Sequence, residues 1–379
     1  VYGAQLENEL VELCKNYGVK LLGPNCLGII NTALNLNASF ATKLPVYGGL
    51  SVFSQSGALI TSMLDLAAER HLGIDKLVSV GNKADITEID LLRYFATDNQ
   101  TKVVIGYLED IASGDKFVKA AEEVSAVKPV IILKSGTTEA GLKAAASHTG
   151  VLATKDTAYG AAFRRSGVVR ADNFEALFDY ATALALQPLP EGNRVLIITN
   201  AGGPGTMAAD AVEKAGLVGT HLEQGTKEKL VTELPEEAAI ENPIDVLGDA
   251  DPQRYITALE AAQNDKGVDA ILVILTPQYM ARPADVAIAI AHHMDGSKPV
   301  VAAFLGGDSV MPGRGILSAS GLPDYDSPER AVAALKVMWE YRLWKNRPPR
   351  LVKRFRVNKR RVERIITRRQ RTDRLIIGE

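Results

Sequence analysis

Cysteine is scarce in this sequence, which has only two cysteines among 379 residues. Cys14 and Cys26 form no CxxC pair, so neither a disulfide framework nor a structural zinc site has support. Long apolar runs are also missing, since no stretch approaches the roughly 20 residues that cross a bilayer. No charged and then apolar leader opens the chain. We therefore expect a cytoplasmic protein that binds no membrane.

Several catalytic signatures are missing as well. The sequence holds no GxxxxGK[ST] phosphate loop, no complete GxGxxG, no HExxH and no GxSxG. Catalysis by a metal held in a dedicated protein cage and serine hydrolysis therefore lack support.

The composition is that of an ordinary globular protein, with 46% hydrophobic and 23% charged residues, and the length suits two or three domains. The net charge of -2 conceals a basic C-terminal segment, in which residues 350–374 hold 12 Lys and Arg against two acids. This segment has one aromatic, Phe355, and no nucleic-acid-binding signature. We expect a solvated helix or an interdomain linker there, and no nucleic-acid partner.

Short β-branched runs alternate with segments of helical character along most of the chain. Strands that alternate with helices predict parallel sheets covered on both faces. The predicted strands are Val19–Leu22, Leu50–Phe53, Val103–Leu108, Val130–Leu133, Val195–Thr199, Ala270–Thr276 and Val300–Phe304.

One design occurs twice: a strand, a turn of small or polar residues, and then a helix. The first copy leads through Ser56-Gly57 into a helix over Ala58–Glu69, and the second leads through Gly202-Gly-Pro-Gly205 into Thr206–Ala215. A helix that starts after a parallel strand offers unpaired N–H groups and the positive end of its dipole to an anion. Either turn taken alone is better explained as a short strand-to-helix connection. The duplication favours two phosphate seats.

His148 has the most suggestive surroundings of the five histidines, because small residues flank it on both sides. We expect a loop that presents the imidazole, whose neutral nitrogen can attack phosphorus near neutral pH. Glu109 follows an apolar run and should stand at the C-terminal edge of a parallel sheet, where it could orient the imidazole. A surface histidine and a solvated glutamate remain alternatives, and Asp110 is an equally plausible carboxylate.

In order and spacing, seven short segments resemble the ADP-forming acyl-CoA synthetases, relatives of succinyl-CoA synthetase. The resemblance covers nearly the whole chain. The segments are Gly23-Pro-Asn-Cys-Leu-Gly28, Ser54-Gln-Ser-Gly-Ala-Leu59, Ser79-Val-Gly-Asn82, Tyr107-Leu-Glu109, Ser147-His-Thr-Gly150, Asn200-Ala-Gly-Gly-Pro-Gly205 and Glu241-Asn-Pro-Ile-Asp245.

The resemblance implies that His148 is the phosphorylated histidine and that Glu109 orients it. It implies that the helix starts at Ser56 and Gly57, and at Gly203, Gly205 and Thr206, are two phosphate-holding termini. It further implies that CoA contacts the chain at Asn25 and Cys26. These implied roles concern the following residues: His148, Glu109, Ser56, Gly57, Gly203, Gly205, Thr206, Asn25 and Cys26.

The implied fold is α/β, with two flavodoxin-like doubly wound parallel-sheet domains after the end of a Rossmann-like CoA-binding domain. The expected boundaries are 1–47 for the CoA-binding remnant, 48–175 and 176–345 for the flavodoxin-like domains, and 346–379 for a basic linker toward an ATP-grasp module.

The implied activity converts acyl-CoA, phosphate and ADP to free acid, CoA and ATP by way of acyl phosphate and phosphohistidine. The implied cofactors are CoA, ATP or ADP, and Mg²⁺, with the nucleotide and Mg²⁺ bound mainly by the ATP-grasp domain or subunit. A homo- or hetero-oligomer is expected. The acyl group and the choice between ADP and GDP are left open. The alternative is a noncatalytic CoA- or nucleotide-sensing region of a protein lysine acetyltransferase or regulatory module.

Overall fold

The computed structural model describes residues 2–149 and 156–348, together with positions 361, 364 and 367. For residues 145–149 it describes the backbone alone. Residues up to Lys345 form one compact unit, and the segment from Asn346 forms a second unit. Most of the predicted linker over 346–379 lies outside the described residues. None of the described helices is long and apolar enough to cross a membrane.

In the first half of the compact unit, helices follow each of the strands β3 to β7, with two helices, α5 and α6, between β6 and β7. Its parallel strands lie in the order β4-β3-β5-β6-β7, which is the flavodoxin-like order. The elements, including the N-terminal helix and hairpin, are α1 (Tyr2–Asn16), β1 (Gly28–Asn31), β2 (Leu36–Ser39), β3 (Tyr47–Ser54), α2 (Gly57–Glu69), β4 (Ile74–Ser79), α3 (Glu88–Thr97), β5 (Val103–Leu108), α4 (Gly114–Ser125), β6 (Val130–Lys134), α5 (Glu139–Thr149), α6 (Asp156–Ser166), β7 (Val169–Ala171) and α7 (Phe174–Leu186).

The second half repeats the arrangement, with parallel strands in the order β10-β8-β11-β12-β13 and the short β9 beside β8. Its elements are β8 (Arg194–Thr199), α8 (Gly202–Lys214), β9 (Val218–Gly219), α9 (Gln224–Glu233), β10 (Ile244–Asp245), α10 (Pro252–Asn264), β11 (Ala270–Leu275), α11 (Pro283–His293), β12 (Val300–Phe304), α12 (Met311–Ala319), β13 (Asp324–Tyr325) and α13 (Pro328–Lys345). The expected α/β class with two doubly wound parallel sheets is confirmed.

Three layers of apolar side chains hold the unit together. The largest core lies between the sheets and is built from α2, α7, α8 and α13 with the sheet faces that they cover. A second core lies under α9 to α12, and a third under α3, α4 and α6. The central strands are buried on both faces, which accounts for their continuous Val, Ile and Leu runs.

The equivalent last helices of the halves, α7 and α13, meet at a buried carboxylate. Asp179 of α7 accepts hydrogen bonds from Arg330 of α13, through Nε at 2.8 Å and Nη2 at 2.8 Å. Arg70, at the C-terminal end of α2, donates to the same carboxylate at 2.6 Å. The Asp179 side chain is 5% exposed, so the two halves are joined by a charged network as well as by apolar contacts.

The N-terminal segment differs from expectation in two ways. Residues 19–22 form no strand, because their backbone bonds a loop, with the Leu21 N–H donating to Asp85 and its carbonyl accepting from Ile86. The hairpin β1–β2 pairs antiparallel with β4 and so extends the first sheet. Residues 28–39 are thus joined to the first half, although the sequence predicts that they belong to a separate remnant. The other predicted strands and the helices from residues 58 and 206 are present within a few residues.

Candidate functional site

The two turns predicted from the repeat share one hydrogen-bonding device. In the first half the Ser54 hydroxyl, at the end of β3, accepts from the Ser56 N–H at 3.0 Å and donates to the Ser56 carbonyl at 2.8 Å. In the second half the Thr199 hydroxyl, at the end of β8, does the same for Ala201 at 3.1 and 2.9 Å. Each hydroxyl fixes the residue that starts the following helix.

The first helix of this pair, α2, opens on a polar cleft. Ser56 is its N-cap and accepts a hydrogen bond from the Leu59 N–H at 3.3 Å. Gly57 follows, and the first N–H groups of the helix have no partner within it. No acid lies in the first turn of α2, so the positive end of its dipole is not neutralised there.

The cleft has a volume of about 870 Å³. It brings together five of the predicted residues, since Asn25, Cys26, Ser56, Gly57 and Glu109 all line it. The complete lining is Gly3, Ala4, Glu7, Asn25, Cys26, Leu27, Phe40, Gln55, Ser56, Gly57, Ala58, Gly81, Asn82, Glu109 and Asp110.

The segment that carries Asn25 and Cys26 is held across the ends of β3 and β4. The Asn82 N–H donates to the Pro24 carbonyl at 3.0 Å, and the Ser79 hydroxyl accepts from the Leu27 N–H at 2.9 Å. Gly81 has φ of +51°, and a Cβ there would lie 2.2 Å from the Pro24 oxygen, so only glycine allows the two turns to approach this closely.

Gln55 holds the loop that follows β5. Its Oε1 accepts from the N–H groups of Glu109 at 2.6 Å and Asp110 at 3.1 Å. Its Nε2 donates to Asp110 Oδ1 at 2.6 Å. The turn before α2 and the end of β5 are thereby fixed to each other.

The structure distinguishes the two candidate carboxylates. Asp110 Oδ1 lies 2.7 Å from the ammonium of Lys83 and also accepts from Gln55, so this carboxylate is already engaged. Glu109 Oε2 is buried and has no hydrogen-bond partner among the described residues. A buried carboxylate oxygen without a donor is costly unless another group binds it. Glu109 is therefore the carboxylate that is available to orient a histidine.

Two further titratable groups stand on the same edge of the sheet. Burial lowers the pKa of Lys134, at the end of β6, although Asp156 and Asp110 act to raise it. Its ammonium lies 4.4 Å from the centre of the Tyr159 ring. Burial raises the pKa of Tyr107, and the hydrogen bond between its hydroxyl and Ser135, at 2.9 Å, acts against this shift when Ser135 donates to the phenolate.

His148 lies on the last turn of α5, and its side chain is outside what the structure describes. The expectation of a loop is corrected at this point, because the backbone of Glu139–Thr149 is helical. The run Ala144-Ala-Ala146 consists of the strongest helix-forming residue, and Glu139 favours the N-terminal end of the helix dipole. The contact between His148 and Glu109 stays a prediction.

The second predicted seat needs a correction of its donors. Helix α8 begins at Gly202, four residues before the predicted start, because Ala201 takes the capping position. The Gly205 N–H is bound to the Ala201 carbonyl at 3.2 Å, and the Thr206 hydroxyl donates to the Gly202 carbonyl at 3.0 Å. Gly205 packs against Thr199 and Pro243. The N–H groups of Gly202 and Gly203 are the ones that point out of the helix.

This edge of the sheet therefore brings the unneutralised N-terminus of α2 and the buried Glu109 Oε2 together in one cleft. Among residues 2–149 and 156–348, no group of three or more His, Cys, Asp and Glu could hold a metal ion.

Sequence reasoning missed the residues that support the site. Gln55 lies inside a quoted segment, and its position directly after a strand was a signal that its amide could bind the neighbouring strand end. Lys83 and Glu88 gave no signal, because their pairing with the loop after β5 depends on how β4 and β5 are placed on either side of β3.

Two family models match the chain, one for each half. The succinyl-CoA ligase like flavodoxin domain matches residues 47–184, and the ligase-CoA domain matches residues 195–346. Both matched ranges agree with the two parallel sheets, and each begins within a residue of a sheet's first long strand.

The chain is similar to curated proteins and to solved structures of the same kind. The chain is 45% identical to the ADP-forming acetate–CoA ligase of Methanocaldococcus jannaschii over 90% of its own length and 49% of the relative's. It is 39% identical to the alpha subunit of ADP-forming acetate–CoA ligase I of Pyrococcus furiosus, over 90% and 75%. A solved Ca. Korarchaeum cryptofilum dinucleotide forming acetyl-coenzyme A synthetase 1, in complex with phosphate and ADP, superposes with a TM-score of 0.87 at 35% identity, over 91% and 77%. The chain thus spans about half the length of some relatives and three quarters of others.

Proposed function

This chain belongs to the family of ADP-forming acetate–CoA ligases and their alpha subunits, and from this premise we propose that it is the CoA-ligase core of such an enzyme. The proposed overall reaction takes acyl-CoA, phosphate and ADP to free acid, CoA and ATP. The observation that carries the proposal is the buried Glu109 Oε2, which has no hydrogen-bond partner among the described residues, beside the open N-terminus of α2 in one cleft.

The reaction divides into three transfers. A phosphate oxygen attacks the acyl carbonyl, the thioester bond breaks, and CoA leaves as acyl phosphate forms. The His148 imidazole then attacks phosphorus, and the carboxylate of the free acid leaves. In the last transfer ADP takes the phosphoryl group from His148, so ATP forms and the imidazole is restored.

Glu109 has a defined task in this sequence. Its free oxygen would accept the N–H of one imidazole nitrogen, which leaves the other nitrogen with its lone pair toward phosphorus. The carboxylate also stabilises the positive charge that the ring gains as the bond to phosphorus forms. The rigid support from Gln55 keeps Glu109 at the end of β5 during the transfer.

The two helix N-termini would hold the phosphoryl group at either end of its transfer. The first contributes N–H groups at Gly57 and Ala58, and the second contributes those of Gly202 and Gly203. Each terminus favours an anion by roughly 0.3 to 1 kcal/mol when exposed and up to about 2 when partly buried. We infer that the two turns face each other across the path of His148.

The remaining participants follow from the same proposal. Asn25 and Cys26 line the cleft wall where CoA would lie. An ATP-grasp domain or subunit would supply the site for ADP and Mg²⁺, in keeping with the alpha-subunit relatives. The cytoplasm is the proposed location, and both cysteines are free, as a reducing compartment allows.

The test is phosphoryl transfer to the chain in complex with its ATP-grasp partner. Radiolabelled acetyl phosphate should label the wild-type protein in an acid-labile, base-stable form, and His148→Asn should take no label while it keeps the fold. Full labelling of His148→Asn would refute the assignment. Absence of label in the wild type, with CoA still bound, would favour the noncatalytic regulatory module.

A further inference from the structure

We propose that Lys83 is a positioning residue that holds Glu109 in place for transfer of the phosphoryl group. It acts through Asp110 and Gln55 and touches no substrate. The inference rests on the proposed function, because it assigns a support to the carboxylate that the phosphohistidine step uses.

Lys83 is enclosed at the edge of the cleft, with its side chain 4% exposed. Its ammonium lies 2.7 Å from Asp110 Oδ1 and donates to the Asp110 carbonyl at 3.0 Å. One lysine therefore holds both the side chain and the backbone of the residue that follows Glu109. A buried lysine in an ion pair on a loop beside a site is a common means of fixing that loop.

The backbone at Lys83 is itself strained. Its φ is +58°, in the left-handed region that few non-glycine residues adopt. Such a conformation costs on the order of 1 kcal/mol or more and persists only where the surroundings impose it. Here the turn directs the side chain toward Asp110 and not toward solvent.

Glu88 fixes the other side of the ammonium. Its side chain is fully buried, and its Oε2 lies 3.2 Å from Lys83 Nζ in an ion pair whose alignment is not that of a hydrogen bond. Its Oε1 accepts from the Ala112 N–H at 2.9 Å. The loop from Glu109 to Ala112 is thus bound at both ends by a network that contains the single cation Lys83.

Gln55 links the position of Asp110, which Lys83 holds, to the position of Glu109. Because Asp110 Oδ1 accepts from the Gln55 amide nitrogen, the amide oxygen has to face the N–H groups of Glu109 and Asp110. Without Lys83, Asp110 is free to turn away and Gln55 loses the partner that sets its orientation. Glu109 would then keep its charge but lose its fixed place, and displacements of about 1 Å at a reacting group can cost about 10²-fold in rate.

The experiment compares Lys83→Met, Lys83→Arg and the wild type, each in complex with the ATP-grasp partner, with radiolabelled acetyl phosphate as phosphoryl donor. Lys83→Met should lower the kcat of His148 labelling about 10- to 100-fold, in the range expected for groups that orient a catalytic side chain. The KM for acetyl phosphate should stay within about twofold, since Lys83 does not contact the donor. Lys83→Arg should restore most of the rate.

Lys336→Met is the control, because Lys336 is 42% exposed on α13 and its ion pair among the described residues is with Glu340, at 3.8 Å. It should label like the wild type. A wild-type kcat in Lys83→Met, with the wild type labelled, would overturn this inference and leave the proposed function intact. An unlabelled wild type would instead count against the proposed function.

A second variant covers the case in which Lys83→Met unfolds because it leaves Glu88 buried without a counter-charge. Asp110→Asn keeps the pair between Lys83 and Glu88 but removes the charge that binds Lys83 to the loop. It should lower kcat about tenfold and leave the thermal unfolding midpoint within a few degrees of the wild type. A wild-type kcat in folded Asp110→Asn would overturn the inference.

Discussion

The two halves of the compact unit share a backbone plan and differ in the side chains at the edge where ligands bind. Both have parallel strands in the same order, and in both a hydroxyl at the end of the first strand fixes the helix start. In both, the next residue is an amide that binds the end of the third parallel strand. Gln55 binds Glu109 and Asp110, and Asn200 binds Thr276 at 2.8 Å.

The difference lies in the residue that the amide binds. At this position the first half has Glu109, whose Oε2 has no hydrogen-bond partner among the described residues. The second half has the neutral hydroxyl of Thr276, which donates to Asn200 at 3.1 Å. The first helix is capped by the Ser56 side chain, whereas Ala201 gives the second no side-chain cap. On the proposed function, the first half would supply both a carboxylate that orients His148 and an anion seat, and the second half would supply an anion seat. A shared fold did not require a shared task.

The largest expected effect tests the joint between the halves. Asp179→Ala should lower the free energy of unfolding by about 3 to 4 kcal/mol, because it leaves Arg70 and Arg330 without the buried carboxylate that they share. Denaturant titration measures this loss, and Asp326→Ala is the control, since Asp326 is 53% exposed where it pairs with Arg330. Equal losses in the two variants would mean that the joint is held by apolar packing.

The next effect concerns Glu109, the carboxylate at the position that Thr276 occupies in the second half. Glu109→Gln should lower the rate of His148 phosphorylation on the order of 10²-fold, because an amide keeps the shape but cannot stabilise the charged ring. Thr276→Val, the change at the equivalent position of the second half, should alter the rate by less than about threefold. If Glu109→Gln stays near the wild-type rate and Asp110→Asn is inactive, the role moves one residue along the chain.

The shared arrangement of strands and helices could largely be predicted from the sequence, but the residues that hold Glu109 in place could not. The positions of most strands and the start of α2 could be predicted, because buried runs such as Val103–Leu108 and the small-residue turns are local signals. The order of the strands within each sheet came from the family resemblance, and the start of α8 was predicted four residues too late. The hairpin on β4 and the coil at residues 19–22 were not predictable, since their pairing depends on distant residues. Glu109 could be placed at a strand end. That Asp110 is bound by Lys83 follows only from contacts over 27 residues of sequence.

A smaller effect is expected at equivalent positions of the fifth strands. In register, Arg170 pairs with Ile132 on β6, as Asp324 pairs with Ala302 on β12. Burial raises the pKa of Asp324 to about 6, although Arg314, 2.5 Å away, acts to lower it. The folded state therefore binds more protons than the unfolded state between about pH 4 and pH 6, and this contribution to stability is lost as the pH rises through that window.

The measurement is denaturant unfolding of the wild type and of Asp324→Asn across the same window. The stability of the wild type relative to Asp324→Asn should fall by about 2 kcal/mol between pH 4 and pH 6, in the direction that the raised pKa requires. Arg170→Gln is the matched control, as its guanidinium does not titrate there. A relative stability that rises with pH would show that the Arg314 ion pair dominates over burial.

The smallest effect separates the two helix starts themselves. Ser56→Ala removes the acceptor of the Leu59 N–H and should cost about 1 kcal/mol of unfolding free energy.

The reverse exchange, Ala201→Ser, cannot give the same cap, because Pro204 occupies the position in α8 that Leu59 has in α2 and has no N–H. A serine at 201 could accept only from the Gly203 N–H, one of the two donors proposed for phosphate. Ala201→Ser should therefore gain no more than about 0.5 kcal/mol and should weaken the stabilisation that added inorganic phosphate gives. Denaturant unfolding with and without phosphate measures both changes. If Ala201→Ser responds to phosphate as the wild type does, Gly203 is not a phosphate donor, and the second seat has to be sought elsewhere on α8.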